Sequence, residues 1–130
     1  MGTSDRQAKG QSIIRELHGD GPREEIFNVI EKVFPDYMKT ATEEHLYGDI
    51  WSRPQLSLRD RSMITLAAIV AFRFDLAALH DQLRAHIRFA RNAGLSRDEI
   101  LEVIAHVGHY TGRTATNNAL QVAHALFSSE

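Results

Sequence analysis

The chain is 130 residues long, 43% hydrophobic and 25% charged, which suits a single globular domain over residues 1–130. A formal net charge of −2 gives no footprint for nucleic acid or an anionic membrane, and the lack of any cysteine excludes disulfides, thiolate nucleophiles, CxxC redox chemistry and thiolate zinc sites. The longest strongly apolar run, Met63 to Phe72, is too short to span a bilayer, and the polar start Met-Gly-Thr-Ser-Asp-Arg lacks the apolar core of a signal peptide, so a cytoplasmic protein is expected.

Prolines and glycines are few and fall mostly between periodic segments, the pattern of helices joined by short loops. A first amphipathic helix is predicted over residues 5–18, with Ile13, Ile14 and Leu17 as its stripe and Gly19 as its stop. Pro22 suits the first position of a second helix, with Glu24 and Glu25 in its first turn. Ile26, Phe27, Val29, Ile30, Val33 and Phe34 recur at helical spacing until Pro35 ends or bends the run. A helical segment from Asp36 to Leu46 follows, then a loop from Tyr47 to Gln55 punctuated by Gly48 and Pro54. Ser57-Leu58-Arg59-Asp60 opens a helix that is apolar on nearly every side, which predicts a buried central helix. Asp75 is suited to cap the next helix, which runs to Asn92 and stops at Gly94. Ser96-Arg97-Asp98-Glu99 is a capping box for a helix that ends near Gly112, and Thr114 starts a last helix with Ala115, Ala119, Val122, Ala123 and Leu126 on one face. No stretch alternates like a strand, so the expected fold is all-α, a bundle of about six to seven helices.

Four groups of residues carry chemistry. Leu79, Gln82 and His86 share one helix face, while Arg84 and Arg88 form a separate pair turned away from His86. His86 is open to three readings: an acid/base, a metal ligand, or a buried histidine bonded to a backbone carbonyl. Glu102, His106 and His109 are spaced to place a carboxylate and two imidazoles on one face, and a solvated, partly paired face is the alternative to a metal triad. The loop Asp49-Ile50-Trp51-Ser52-Arg53-Pro54 holds the chain's one tryptophan beside an arginine restricted by the proline after it. Arg59 and Arg61 lie in the first turn of the predicted central helix, the end where cations are unfavourable, so an anion is expected to compensate them. Asp60 or a bound carboxylate would serve.

Gly-Asp-Ile-Trp-Ser-Arg-Pro (48–54), Arg-Ser-Met-Ile-Thr-Leu-Ala (61–67), Leu-Arg-Ala-His-Ile-Arg (83–88), Asn92 with Gly94, and Ile-Ala-His-Val-Gly-His-Tyr-Thr-Gly (104–112) resemble the carboxymuconolactone decarboxylase family over almost the full length. The resemblance implies an all-α fold and a homo-oligomer, trimer or hexamer, with its active site near subunit contacts. The family's alkylhydroperoxidase (AhpD-like) branch carries CxxCxxxH. Here those cysteine positions fall on Leu79 and Gln82 and the histidine on His86. Thiol peroxidase chemistry is therefore excluded, and the resemblance points to the decarboxylase branch: loss of CO₂ from a carboxylated γ-lactone to an enol-lactone in aromatic-acid catabolism, without a cofactor and without a metal. It implies His86 as proton donor, His106 as a second acid/base, Arg53 and Arg61 as carboxylate anchors, Trp51 and Tyr110 as pocket walls, and Gln82 as a further contact to a small carboxylate or lactone. Phe72–Ala78, Gly108-His109 and Arg113-Thr114 depart from the family pattern. An isomerase, cyclase or dehydratase using the same pocket, or a non-catalytic oligomeric binding protein, are the alternatives.

Overall fold

A computed structural model describes residues 3–21, 23–72 and 77–130, the side chains of 77–80 excepted. Among these residues the chain forms seven α-helices and one π-helix and no strand: α1 (Asp5–His18), α2 (Glu25–Val33), α3 (Pro35–Tyr37), the π-helix (Met38–Ile50), α4 (Leu58–Ala71), α5 (Ala77–Asn92), α6 (Arg97–Thr111) and α7 (Arg113–Ser128). The all-α expectation holds. The residues cluster into two compact units, 1–58 and 59–130.

In the first unit, α1 begins at Ser4, whose hydroxyl accepts from the Gln7 N–H at 3.1 Å. It packs along the π-helix, burying Gly10, Ile14 and Leu17 at positions i, i+4 and i+7. The core adds Phe27, Met38, Tyr47 and Trp51, with Tyr47 edge-on to Phe27 (6.2 Å) and stacked at a tilt on Trp51 (5.5 Å). Two expectations are corrected. The second helix opens at Glu25, with Glu24 as its N-cap, rather than at Pro22, which lies outside the described residues. The loop expected from Tyr47 starts later, because the π-helix runs on to Ile50 and the Trp51 N–H still bonds the Leu46 carbonyl at 2.9 Å. Bonds five residues apart make a wider turn than α. Of α2 only Phe27 is buried, and Ile26, Val29 and Val33 remain an exposed apolar stripe.

The second unit is organised around Leu66 and Val70 of α4, Leu83, Ile87 and Ala90 of α5, Leu95, Ile100 and Ile104, and Ala119, Val122 and Ala123 of α7. Burying each of the larger side chains stabilises the fold by about 1.5–3 kcal/mol. The small residues of α7 let it pack on both α5 and α6. Both halves of the capping box form at α6: the Glu99 N–H donates to Ser96 Oγ (3.0 Å) and the Ser96 N–H to Glu99 Oε1 (2.9 Å). Gly94 and Gly112 end α5 and α6 at φ 107° and 118°, where a side chain would be strained. Near the end of α7, Glu130 accepts from Arg91 (3.0 Å) and Arg97 (2.6 Å), which holds its carboxyl below the usual range. The expected burial of α4 on all sides is not found. It buries one stripe, Ser62, Leu66 and Val70, while Ile64 is 54% exposed and Phe72, just beyond the helix, 66%. The predicted Asp75 cap lies outside the described residues.

Candidate active site

α5 buries Leu83, Ile87 and Ala90 as one stripe, and His86 is displaced from it by a single residue. Successive residues are about 100° apart on a helix, so the imidazole stands at the edge of the core rather than on the far side. The ring lies edge-on to the buried Phe89, 5.3 Å between centroids. Nδ1 is sealed from solvent and has no hydrogen-bond partner among the described residues. Among the described residues Nδ1 therefore lacks the carbonyl bond expected of an ordinary core histidine. Desolvation by burial pushes the pKa of His86 from 6.5 down to about 4, so the ring is neutral at pH 7 in the empty protein.

This shift has a direct consequence for acid stability. Between pH 6.5 and about 4 the unfolded chain binds a proton at His86 and the folded chain does not. The folded state therefore keeps its full stability above pH 6.5 and loses about 2–3 kcal/mol from this group as the pH falls to 4. Urea midpoints measured across that range will show the loss, and a His86→Gln variant will show a shallower slope over the same window.

The other predicted residues of the second unit differ in exposure. Arg61 is half-buried in the first turn of α4, and Gln82 is exposed on α5. The side chain of Leu79 lies outside the described residues. Arg84 is held by Asp81 at 2.7 Å. The anion expected beside Arg59 is found twice, in Asp60 (3.8 Å) and in Glu99 across from it on α6. His106 and Tyr110 are brought together, 5.5 Å between ring centroids, but both are exposed, Tyr110 at 81%. His109 turns Nδ1 to the Ala105 carbonyl at 3.0 Å. Among the described residues no three His, Asp or Glu side chains converge on a position that could hold a metal ion, Glu102, His106 and His109 included.

In the first unit Trp51 is core, packed on Tyr47, whose hydroxyl burial pushes up to about 12. Arg53 is exposed and pairs with Asp49 at 3.3 Å, one helical turn earlier. A cavity of about 390 Å³ in this unit is lined by residues that include Arg15, His18, Arg23 and Glu43. Several of its polar groups are engaged: Glu43 accepts from Gln7 at 3.1 Å, His18 Nε2 from the Glu24 N–H at 3.1 Å, and Arg23 pairs with Glu31. Sequence reasoning passed over Ser62, which is 1% exposed with its hydroxyl unbonded among the described residues. The available signal was a serine in register with Leu66 and Val70 on an otherwise apolar stripe.

Residues 35–125 match the sequence profile of the carboxymuconolactone decarboxylase family. Three relatives are similar over long stretches. A 4-carboxymuconolactone decarboxylase of Acinetobacter baylyi is 37% identical over 62% of this chain and 57% of its own length. Nitrosuccinic acid decarboxylase npaB of Metarhizium robertsii is 33% identical over 61% of this chain and 52% of its own length. An uncharacterized 15.0 kDa protein of Paracoccus denitrificans is 28% identical over 93% of this chain and 87% of its own length. The match thus spans little more than half of each of the two named decarboxylases.

Proposed function

The chain belongs to the carboxymuconolactone decarboxylase family, and from that premise we propose that it is a cofactor-independent carboxy-lyase acting on a carboxylated γ-lactone. The observation that carries the reading is His86, an imidazole at the rim of the second unit's core, in a chain with no thiol for it to serve. Two relatives with different substrates in their names are both decarboxylases, which supports the reaction type more than any one substrate.

The chemistry needs few groups. The bond from the ring carbon to a carboxylate breaks, CO₂ departs, and the electron pair stays on the lactone as a dienolate. A proton must then reach carbon. In the empty protein His86 is neutral, but a dianionic substrate beside it favours the imidazolium, because an opposite charge within about 4–6 Å stabilises the charged form. The imidazolium gives its proton to the dienolate carbon and recovers one from solvent. Arg61 supplies a guanidinium fork for a carboxylate, and Gln82 a neutral contact to the substrate.

His106 and Tyr110 enter through assembly. In this reading the active site lies near a subunit contact, and an exposed tyrosine stacked on an exposed histidine suits burial against a second copy of the chain. The exposed stripes on α2 and α4 support a homo-oligomer for the same reason. No helix among the described residues is long and apolar enough to cross a membrane.

The test is to supply 4-carboxymuconolactone and follow CO₂ and enol-lactone. Turnover well above the spontaneous rate is expected. Binding without CO₂ release would replace the lyase with another reaction in the same pocket, and no interaction at all would remove the substrate class.

A further inference from the structure

The cavity of about 390 Å³ in the first unit has no role in the chemistry assigned to His86. Small-molecule sites occupy roughly 300–1,000 Å³, so its size suits a small ligand. Gln11, Ile14, Arg15 and His18 stand at positions i, i+3, i+4 and i+7 of α1, and this one helix face forms a wall of the cavity. Opposite elements of the same unit supply Glu31 from α2 and Glu43 from the middle of the π-helix. π-type turns recur at functional positions.

The charged groups of the lining divide into committed and uncommitted ones. Arg23 is paired with Glu31, and His18 Nε2 accepts the Glu24 N–H at 3.1 Å. Arg15 is exposed, and among the described residues its guanidinium makes no hydrogen bond or ion pair. Glu43 is only 9% exposed, yet its one bond is from the Gln7 amide to Oε1, and no basic side chain among the described residues pairs with it. Its Oε2 is unbonded but not sealed, so it meets accessible space, and Glu43 lines the cavity. A buried carboxylate is costly until a cation or several donors meet it. The cavity therefore presents one uncommitted cation and one uncommitted anion.

We propose that this cavity binds a small zwitterion, a molecule with an ammonium group at one end and a carboxylate at the other. The ammonium group donates to Glu43 Oε2 at the buried wall, and the carboxylate takes the guanidinium fork of Arg15 at the exposed side. Ile14 offers apolar surface to the methylenes between them. A singly charged ligand satisfies one of the two residues and sets its like charge, or no charge, against the other, so the pair selects for a molecule that carries both. The proposal is independent of the lyase reading.

The test titrates the ¹⁵N-labelled full chain at pH 7 with glycine, 4-aminobutyrate and 6-aminohexanoate, and with butyrate and butylamine as singly charged controls. At least one zwitterion is expected to move the amide signals of residues 11–43 with a Kd below about 10 mM, at least about tenfold tighter than either control. No zwitterion binding in that range, a control within tenfold of the best zwitterion, or shifts confined to residues 59–130 overturns the proposal on the wild type alone, whether or not any variant folds. Glu43→Gln keeps an oxygen for the Gln7 amide and loses the charge, so it should weaken the best zwitterion about tenfold or more. Arg15→Gln, at an exposed position, should do the same. A folded variant of either kind that binds as tightly as the wild type also overturns the assignment.

Discussion

His86→Gln is expected to lower kcat on 4-carboxymuconolactone by about 10²–10⁴-fold while leaving the folded chain and its assembly intact. Glutamine is close in reach and polarity to an imidazole, so the rim of the core that packs on Phe89 keeps its shape. What glutamine cannot do is carry a proton near neutral pH. The loss should therefore fall on kcat, because the interaction removed is made only as the dienolate accepts its proton. A large rise in KM with kcat preserved would recast His86 as a binding residue. The low pKa sharpens the experiment further. A histidine that is neutral at pH 7 must acquire its proton with or after the substrate, so the pKa governing kcat should lie well above the value of about 4 in the chain alone. Steady-state rates between pH 5 and 9, against a thermal-unfolding control for each protein, give both comparisons.

The readable parts of this molecule were those where local chemistry decides the outcome. Ser96 and Glu99 announce a capping box, and both bonds form. Gly94 and Gly112 sit where a helix must stop in a positive-φ turn. The misreadings arose where the tertiary partner decides. Gly48 looked like loop punctuation, yet it is buried inside the π-helix because another backbone approaches it. The apolar residues of α4 predicted burial on all sides, but a single chain offers partners for one stripe only, and Ile64 faces outward. Composition reports that an apolar face wants a partner without saying which molecule supplies it. The site divides in the same way. His86 was visible from its spacing and its place in the family pattern. Its unbonded Nδ1 was not, and neither was the neutral ring, since both depend on which neighbours exclude water. Trp51 and Arg53 were visible as a specific motif, and the structure adds that Trp51 is core and that Arg53 pairs with Asp49.

Gly10→Ala is expected to destabilise the first unit strongly, against the trend of helix propensity. In an open helix that substitution stabilises by about 1 kcal/mol. Here a Cβ on Gly10 would overlap the carbonyl oxygen of Glu43 and lie 2.7 Å from its carbon and 2.9 Å from the Gly48 nitrogen. These are backbone atoms of the π-helix, so no rotamer change relieves the clash, and α1 has to move away from the helix it packs on. Gly48 is pinched from the other side, a Cβ there meeting the Arg6 carbonyl and lying 2.6 Å from the Glu43 carbonyl oxygen. The two glycines therefore form one crossing in which backbone meets backbone. Overpacking of this kind typically costs 1–3 kcal/mol and more where the obstacle is rigid, so a net loss of roughly 2–3 kcal/mol is expected after the helix gain. Gly21→Ala is the matched control, because its Cβ would meet only the His18 carbonyl, at an ordinary 3.6 Å. Urea denaturation of the two variants separates the effects: a clear fall in midpoint for Gly10→Ala beside little change for Gly21→Ala. Because Gly10 and the Arg6 side of Gly48 press on one crossing, Gly10→Ala and Gly48→Ala should cost less together than the sum of the single losses, since separating the helices once relieves the Gly10 clash and the Arg6 part of the Gly48 clash, while the Gly48 contact with Glu43, inside the π-helix, remains. Strict additivity would mean that the two contacts yield independently, and that the closeness of α1 to the π-helix is set by the side chains around Ile14 and Leu17 rather than by the glycines.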